Sequence, residues 1–233
     1  TCGHFALSKV ISEYPVDDSA LTPGLAMHLK RIFAENQIDV AVLGCYLNLA
    51  NPNEESLKKI TQRYLTNIRF ASILGAGVVG TETGAVNEKY ATEEANFTEE
   101  ALDIFIKNLR PVVEYAEKMG VIFAIEPVWK HIVCNPVRAR RVLDEINSPN
   151  LQIILDPVNL LDISNYKDQV AIVEEAIDIL GKDVAVVHIK DYVVRDGKLE
   201  SVAAGNGCMD YTAIMKFIKE RKPYIHTTLE NTV

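Results

Sequence analysis

Two rhythms of apolar residues alternate along most of this chain. Short runs that are hydrophobic at nearly every position, Val40 to Cys45, Val78 to Thr81, Val121 to Glu126, Gln152 to Asp156, Val184 to His188 and Tyr224 to Glu230, read as strands, most of them buried on both faces. Between them, apolar residues recur every three or four positions over Asn53 to Leu74 and Thr98 to Met119, with shorter helical segments at Pro136 to Ile146, Asp168 to Leu180 and Tyr211 to Glu220. In the second of these, Leu102, Phe105, Leu109, Val112, Ala116 and Met119 make one stripe, the core-facing side of an amphipathic helix. Pro111 is expected to bend that helix, Gly120 to stop it, and Val121 to begin the next strand at once.

Strand and helix in strict alternation from about Leu25 onward predict a parallel sheet with crossover helices. Six strands are visible where a closed barrel has eight. The expectation is a single (β/α)8 TIM-barrel domain over residues 1–233, lacking the N-terminal strand or strands and the final helix, with an open doubly wound sheet as the alternative.

Four of the strands close on a side chain competent to bind metal: VIFAIEP at Glu126, LQIILDP at Asp156, VAVVHIKD at His188 and YIHTTLEN at Glu230. They are separated by 30, 32 and 42 residues, each about one strand-helix repeat. In a parallel barrel all strand C-termini share one rim, so side chains distant in sequence converge there. Three carboxylates and an imidazole suit one divalent ion, Mn2+, Mg2+, Co2+ or Zn2+, and leave room for substrate oxygens. Taken singly, each is also what a strand meeting solvent would show; the case rests on all four.

Composition narrows the partners. A hydrophobic fraction of 48% with 24% charged residues is that of a soluble globular domain, and no apolar run approaches the roughly 18 residues of a membrane span. A formal charge of -8 argues against a nucleic-acid partner, which needs clustered Lys and Arg, and favours a small-molecule substrate. Cys2, Cys45, Cys134 and Cys208 are scattered, as expected of reduced thiols in a cytoplasmic protein. A homo-oligomer is compatible with all of this.

The IEP, LDP, HIKD and LEN segments together resemble the four metal-ligand strand ends of the xylose-isomerase-like TIM-barrel superfamily, in particular its sugar phosphate isomerase/epimerase branch. GNGCMDY at Gly205 to Tyr211 resembles that family's glycine-rich loop before the seventh helix, and TETG at Thr81 to Gly84 and HIKDYVVRDGKL from His188 are similar to stretches common in its bacterial members. By this resemblance the visible strands are the third to the eighth. It implies a sugar substrate, a ketose or related polyol with or without phosphate, whose carbonyl and neighbouring hydroxyl are chelated by the metal so that an enediolate is stabilised. It further implies that Glu126 and Glu230 are catalytic, one removing a proton and the other returning one to the opposite face, with Asp156 and His188 mainly ligands.

The chain also departs from that pattern. Many relatives place a His three residues after the metal Asp, where this chain has Asn159, and a second Glu shortly after the first metal Glu, where it has Lys130 and His131. Asn159 and His131 are therefore expected to read the substrate differently. Glu82 of TETG is either a hydroxyl ligand or a solvated loop carboxylate, and Trp129 either walls the sugar or packs a loop. Lys190 and Arg195 are candidates for a substrate phosphate or carboxylate, although Arg195 sits in RDG, a turn signal. Gly3 and His4 fit a loop after a strand outside the chain; His28 and His226 read as structural. A keto-inositol dehydratase-type lyase is the nearest rival, because it too begins with proton removal beside a carbonyl. An abasic-site endonuclease is disfavoured by Gly44, Asn159 and the acidic balance, and a non-catalytic sugar-binding barrel by the paired glutamates.

Overall fold

The computed structural model describes residues 1–13 and 15–230. In chain order its elements are β1 (Cys2–Phe5), α1 (Leu7–Val10), α2 (Pro23–Glu35), β2 (Asp39–Gly44), α3 (Glu54–Leu74), β3 (Val78–Glu82), α4 (Glu99–Met119), β4 (Ile122–Glu126) and α5 (Pro136–Ile146), then β5 (Leu151–Leu155), α6 (Gln169–Leu180), β6 (Val184–Ile189), β7 (Asp191–Arg195), β8 (Lys198–Val202), α7 (Thr212–Arg221) and β9 (His226–Leu229). β1, β2, β3, β4, β5, β6 and β9 lie side by side in that order as one parallel sheet. The ring is nearly closed: Cys2 Sγ on the first strand comes within 3.7 Å of Thr227 O on the last. This is a (β/α)8-type barrel with seven barrel strands among the described residues.

Local chemistry sets the element boundaries. Thr22, Asn53, Thr98 and Asn135 each accept a backbone N–H of the following first turn at the starts of α2, α3, α4 and α5. Pro23 and Pro136 occupy first-turn positions, where no helical N–H is needed. Gly75 and Gly120 end α3 and α4 at φ of 83° and 65°, and Asn147 ends α5 in the same left-handed region. α4 runs through Pro111 without interruption, so the expected disturbance there stays within one continuous element.

One expectation needs correction. Of the two barrel strands expected to be absent, one is present: β1 pairs in parallel with β2, so Gly3 and His4 belong to a strand rather than to a loop. Its four residues, CGHF, offer too little apolar pattern to be read as a strand. The RDG turn is where expected, and it closes an antiparallel hairpin of β7 and β8 at Asp196–Gly197, with Arg195 opposite Lys198.

The core comes in two parts. The larger lies between strands and helices, around Tyr64, Phe70, Phe105 and Phe123. A smaller cluster fills the inside of the ring with Val42, Val78, Ala124, Ile154 and Val186 among its members. Gly80 faces this interior: a Cβ there would lie 2.6 Å from Ile154 Cδ1 and 2.8 Å from Val42 Cγ1, contacts that only a missing side chain relieves. Because strand side chains alternate with period two, the next inward residue toward each C-terminus is fixed. After Gly80, Ala124, Ile154 and Val186 come Glu82, Glu126, Asp156 and His188.

Candidate active site

The barrel mouth thus repeats one pattern on β3 to β6, an inward glycine or apolar residue followed two residues later by a polar group. Beside Glu82, Glu126, Asp156 and His188, the same rim carries His4 after Cys2 and Glu230 after Thr228. Glu126, Asp156 and His188 are almost fully buried, while Glu230 keeps 28% of its side chain exposed. Above them opens a cavity of about 890 Å³ lined by His4, Tyr46, Glu82, Glu126, Asn159, Lys190 and Glu230, among others. That volume suits a small polar ligand.

His188 is the hub. Its Nδ1 lies 3.5 Å from Glu126 Oε1 and 3.1 Å from Glu230 Oε1, and its Nε2 lies 3.1 Å from His4 Nδ1. Burial alone would discharge His188, but Glu126, Glu230 and Asp156 outweigh it and push the imidazole up to about 9. His4 goes the other way, to about 4, through burial and then repulsion from His188. The His4–His188 contact continues into a 2.8 Å contact between His4 Nε2 and the Tyr46 hydroxyl, so the three side chains form one line of hydrogen-bonding groups across the rim. Gly44 makes this arrangement possible, since a Cβ there would lie 2.7 Å from both the His4 ring and the Tyr46 ring.

Lys190 supplies the second cation. Its ammonium lies 2.9 Å from Asp156 Oδ2 and 3.3 Å from Glu230 Oε2 and donates to Asn159 Oδ1 at 2.9 Å. The Asn159 amide in turn donates to Glu126 Oε1 at 2.6 Å. Burial would raise the Glu126 carboxyl, yet His188, Lys190 and the Asn159 amide hold it below the usual carboxylate range. Asp156 is raised to about 6, with burial the largest cause and Glu126 adding to it against the pull of Lys190.

Two groups of side chains at the mouth could each hold a metal ion, and they share His188. The ligand atoms of Glu126, Asp156 and His188 lie within 4.8 Å of one another, as do those of His4, His188 and Glu230. His188 Nδ1 and Asp156 Oδ2 are buried without a hydrogen-bond partner of good geometry among the described residues. Buried polar atoms left in this state cost free energy unless a further partner completes them. For Asp156 Oδ2 the Lys190 ammonium is the partial answer; for His188 Nδ1 the flanking carboxylates are.

The remaining sequence candidates divide. Glu82 lines the cavity one strand from Glu126, and His131 is buried behind it with Nδ1 3.5 Å from Glu82 Oε2. Trp129 is exposed on the loop after β4, where its backbone N–H, rather than its ring, is engaged by Asn159 O at 2.8 Å. Arg195 is on the β7–β8 hairpin, exposed and paired with Glu200 at 2.9 Å, outside the cavity lining. Of the histidines read as structural, His28 is exposed on α2 and His226 is half-buried in β9. Tyr46 was passed over and His4 left in a loop; Tyr46 follows the inward parity of Val42 and Gly44 on β2, whereas β1 shifts register between Gly3 and His4, so no sequence period marks His4. GNGCMDY folds around Asp191, whose carboxylate accepts from Gly205 N at 3.0 Å and Met209 N at 2.8 Å.

A family model described as xylose isomerase-like TIM barrel matches residues 10–230, nearly the whole chain. The chain belongs to the xylose isomerase-like TIM barrel family. A search of curated protein sequences returns no match. Solved structures of the family share its fold at low identity. A D-tagatose 3-epimerase-like protein superposes with a TM-score of 0.73 at 23% identity, over 91% of this chain and 78% of its own. The IolI protein, solved with a zinc atom, gives 0.71 at 19%, over 98% and 88%. The probable 3-DHS dehydratase AsbF of Bacillus anthracis gives 0.69 at 14%, over 89% and 75%. Among the described residues no helix is long and apolar enough to cross a membrane.

Proposed function

We propose that this xylose isomerase-like barrel is a divalent-metal-dependent sugar isomerase or epimerase that moves a proton on a carbon beside a carbonyl of a small ketose or sugar-like polyol. One observation carries the reading: Glu126 and Glu230 stand three places apart in the ring, on β4 and just after β9, and both reach the cavity and the same imidazole. Two carboxylates converging from separated strands are what proton removal on one face and return on the other require. Binding alone gives no reason for a base on each side.

Glu126, Asp156, His188 and Glu230 would hold the ion, and the zinc of one structural relative sits in the range that such a donor set accepts, along with Mn2+, Mg2+ and Co2+. When bound, the cation supplies Lewis-acid polarisation of the substrate carbonyl and offsets charge that builds on its oxygens. Asp156 is fully buried, pairs with Lys190 and is not among the residues lining the cavity, which suits it to hold the ion rather than to act as a base. Asn159 orients the Glu126 carboxylate and leaves that oxygen a weaker base than its partner. Lys190 supplies positive charge to the rim and is suited to a substrate oxyanion.

The test is hydrogen exchange at carbon in D2O with Mn2+ supplied, across ketoses, keto-inositols and their phosphates. Deuterium incorporation that depends on metal and is abolished by Glu126→Gln and by Glu230→Gln is the expected result. Exchange that survives both substitutions refutes the reading.

A further inference from the structure

The imidazole of His188 turns its two nitrogens to different surroundings. Nδ1 faces the Glu126 and Glu230 carboxylates at 3.5 and 3.1 Å and has no hydrogen-bond partner of good geometry among the described residues, which leaves it the ring atom open to an ion. Nε2 faces His4 Nδ1 at 3.1 Å, and because His188 is fully buried, solvent cannot stand in for that partner. His4 is engaged at its other nitrogen as well, where Nε2 meets the Tyr46 hydroxyl at 2.8 Å. Ring centroids lie 5.0 Å apart for His4 and His188 and 5.9 Å apart for His4 and Tyr46. Neither His4 nor Tyr46 has a part in the proton transfer proposed above.

We propose that His4, held by Tyr46, is a positioning residue that locks the His188 ring with Nδ1 turned to the carboxylates, and so sets how tightly the mouth takes a divalent ion. The inference rests on the metal reading given above and deepens it by naming what aims one of the four side chains. A histidine that gives Nδ1 to an ion carries its hydrogen on Nε2, and that hydrogen needs an acceptor, here His4 Nδ1. His4 then carries its own hydrogen on Nε2, facing the Tyr46 oxygen. The imidazole torsion of a histidine has two broad wells about half a turn apart, and the His4 contact favours the one that keeps Nδ1 beside Glu126 and Glu230.

The two strands that carry these groups are shaped for the contact. β1 shifts register against β2 between Gly3 and His4, which sets His4 opposite Val42, a residue of the cluster inside the ring. Two residues beyond Val42 stands Gly44, where a Cβ would lie 2.7 Å from His4 Nε2 and 2.7 Å from Tyr46 Cε2, so a side chain there would part the two groups. His4, His188 and Glu230 are also close enough together to form a ligand group of their own. As a ligand, however, His4 needs a free ring nitrogen, and both of its nitrogens are engaged. The geometry therefore gives the ion to His188 Nδ1 and the supporting role to His4.

The experiment measures Mn2+ affinity of the full chain from the electron paramagnetic resonance signal of the free ion, beside melting in chelator, which reports the fold without the ion. His4→Phe keeps a flat ring and removes both nitrogens; it should weaken Mn2+ binding by about 10–100-fold, the range for lost partners of metal-binding histidines. His4→Gln, whose amide oxygen accepts from His188, should recover part of that loss. Tyr46→Phe should weaken binding several-fold, and Gly44→Ala, which deletes no hydrogen-bonding group, should act in the same direction. Long-range proton–nitrogen NMR spectra of the Zn2+-loaded wild type give a reading that no variant's folding affects: His188 should be ligated at Nδ1 with its hydrogen on Nε2. Zn2+ on a His4 nitrogen, or on Nε2 of His188, overturns the proposal, as does a His4→Gln variant that binds as weakly as His4→Phe. His4→Phe binding Mn2+ as tightly as wild type overturns it while leaving the metal site standing, and affinity losses that merely track losses in melting temperature overturn it in favour of packing. A wild type that binds no Mn2+ removes the metal reading, and this inference with it.

Discussion

Replacing Lys190 with Met keeps a similar apolar stem and deletes only the ammonium, which isolates the charge that holds the mouth together. Lys190 and Asp156 are both buried, at 6% and 0% exposure, and meet at 2.9 Å; Glu230 adds a second contact at 3.3 Å. At an effective dielectric of about 20, each such pair attracts by several kcal/mol, offset by what it costs to bring the ammonium out of water. Removing one partner leaves the other charge buried and uncompensated, which costs about 3–5 kcal/mol. For a chain of this length each kcal/mol lowers Tm by about 2–4 °C, so the variant should melt roughly 6–20 °C below wild type in the presence of a chelator near pH 7.5. The deficit should shrink toward pH 5, where the Asp156 carboxyl, raised to about 6 even beside Lys190, takes up its proton and no longer needs a cation. Added Mn2+ offsets the same carboxylates and should therefore raise Tm more in the variant than in wild type. Calorimetry with and without metal at the two pH values gives all of these numbers. A variant melting within about 2 °C of wild type in chelator would show that the ammonium does not carry this charge balance.

Three other outcomes are expected. His188 is raised from 6.5 to about 9 by its carboxylates, so the folded chain holds a proton there that the unfolded chain releases. That contribution, on the order of 3 kcal/mol, is present below about pH 6.5 and is lost as pH rises through 9; thermal melts of the metal-free protein should show this slope, and His188→Asn should flatten it. Arg138 is buried and donates to Ile132 O at 2.8 Å, Phe97 O at 3.1 Å, Thr98 O at 2.8 Å and Glu99 at 3.0 Å, clamping the loop after β4 to the start of α4. Arg138→Ala should cost about 2–4 kcal/mol in urea denaturation, with a shift in midpoint rather than in slope. Arg195→Ala should change kcat/KM by less than about twofold, because its partner is Glu200 on an exposed hairpin; a loss of about tenfold would return Arg195 to the substrate site.

The strands that announce themselves in the sequence are those buried on both faces. β4, β5 and β6 are apolar for most of their length and carry one charged or imidazole side chain at or just after the end, so both the element and its chemistry show together. β1 is as much part of the ring but has four half-buried residues, two of them Gly and His, and its strand character comes from pairing with β2 rather than from any pattern of its own. For the same reason His4 escaped the rim. The β7–β8 hairpin was hidden by exposure, since strands lying over the barrel mouth do not need a continuous apolar run. Lys190 was legible as a cation near the site but not as the partner of Asp156, because such contacts depend on how neighbouring strands are registered. Glu82 illustrates the middle case: TETG marks a strand end, while His131 and Tyr90 behind it arrive from other loops and only the folded chain brings them together.

The central claim is that Glu126, Asp156, His188 and Glu230 bind one divalent ion at the barrel mouth. Anomalous diffraction from crystals of the protein soaked in Mn2+ tests it most directly. The account predicts one strong peak per chain contacting at least three of those four side chains, with the Lys190 ammonium withdrawn from Asp156. A peak elsewhere, or an ion held at the mouth by fewer than three of them, would contradict it.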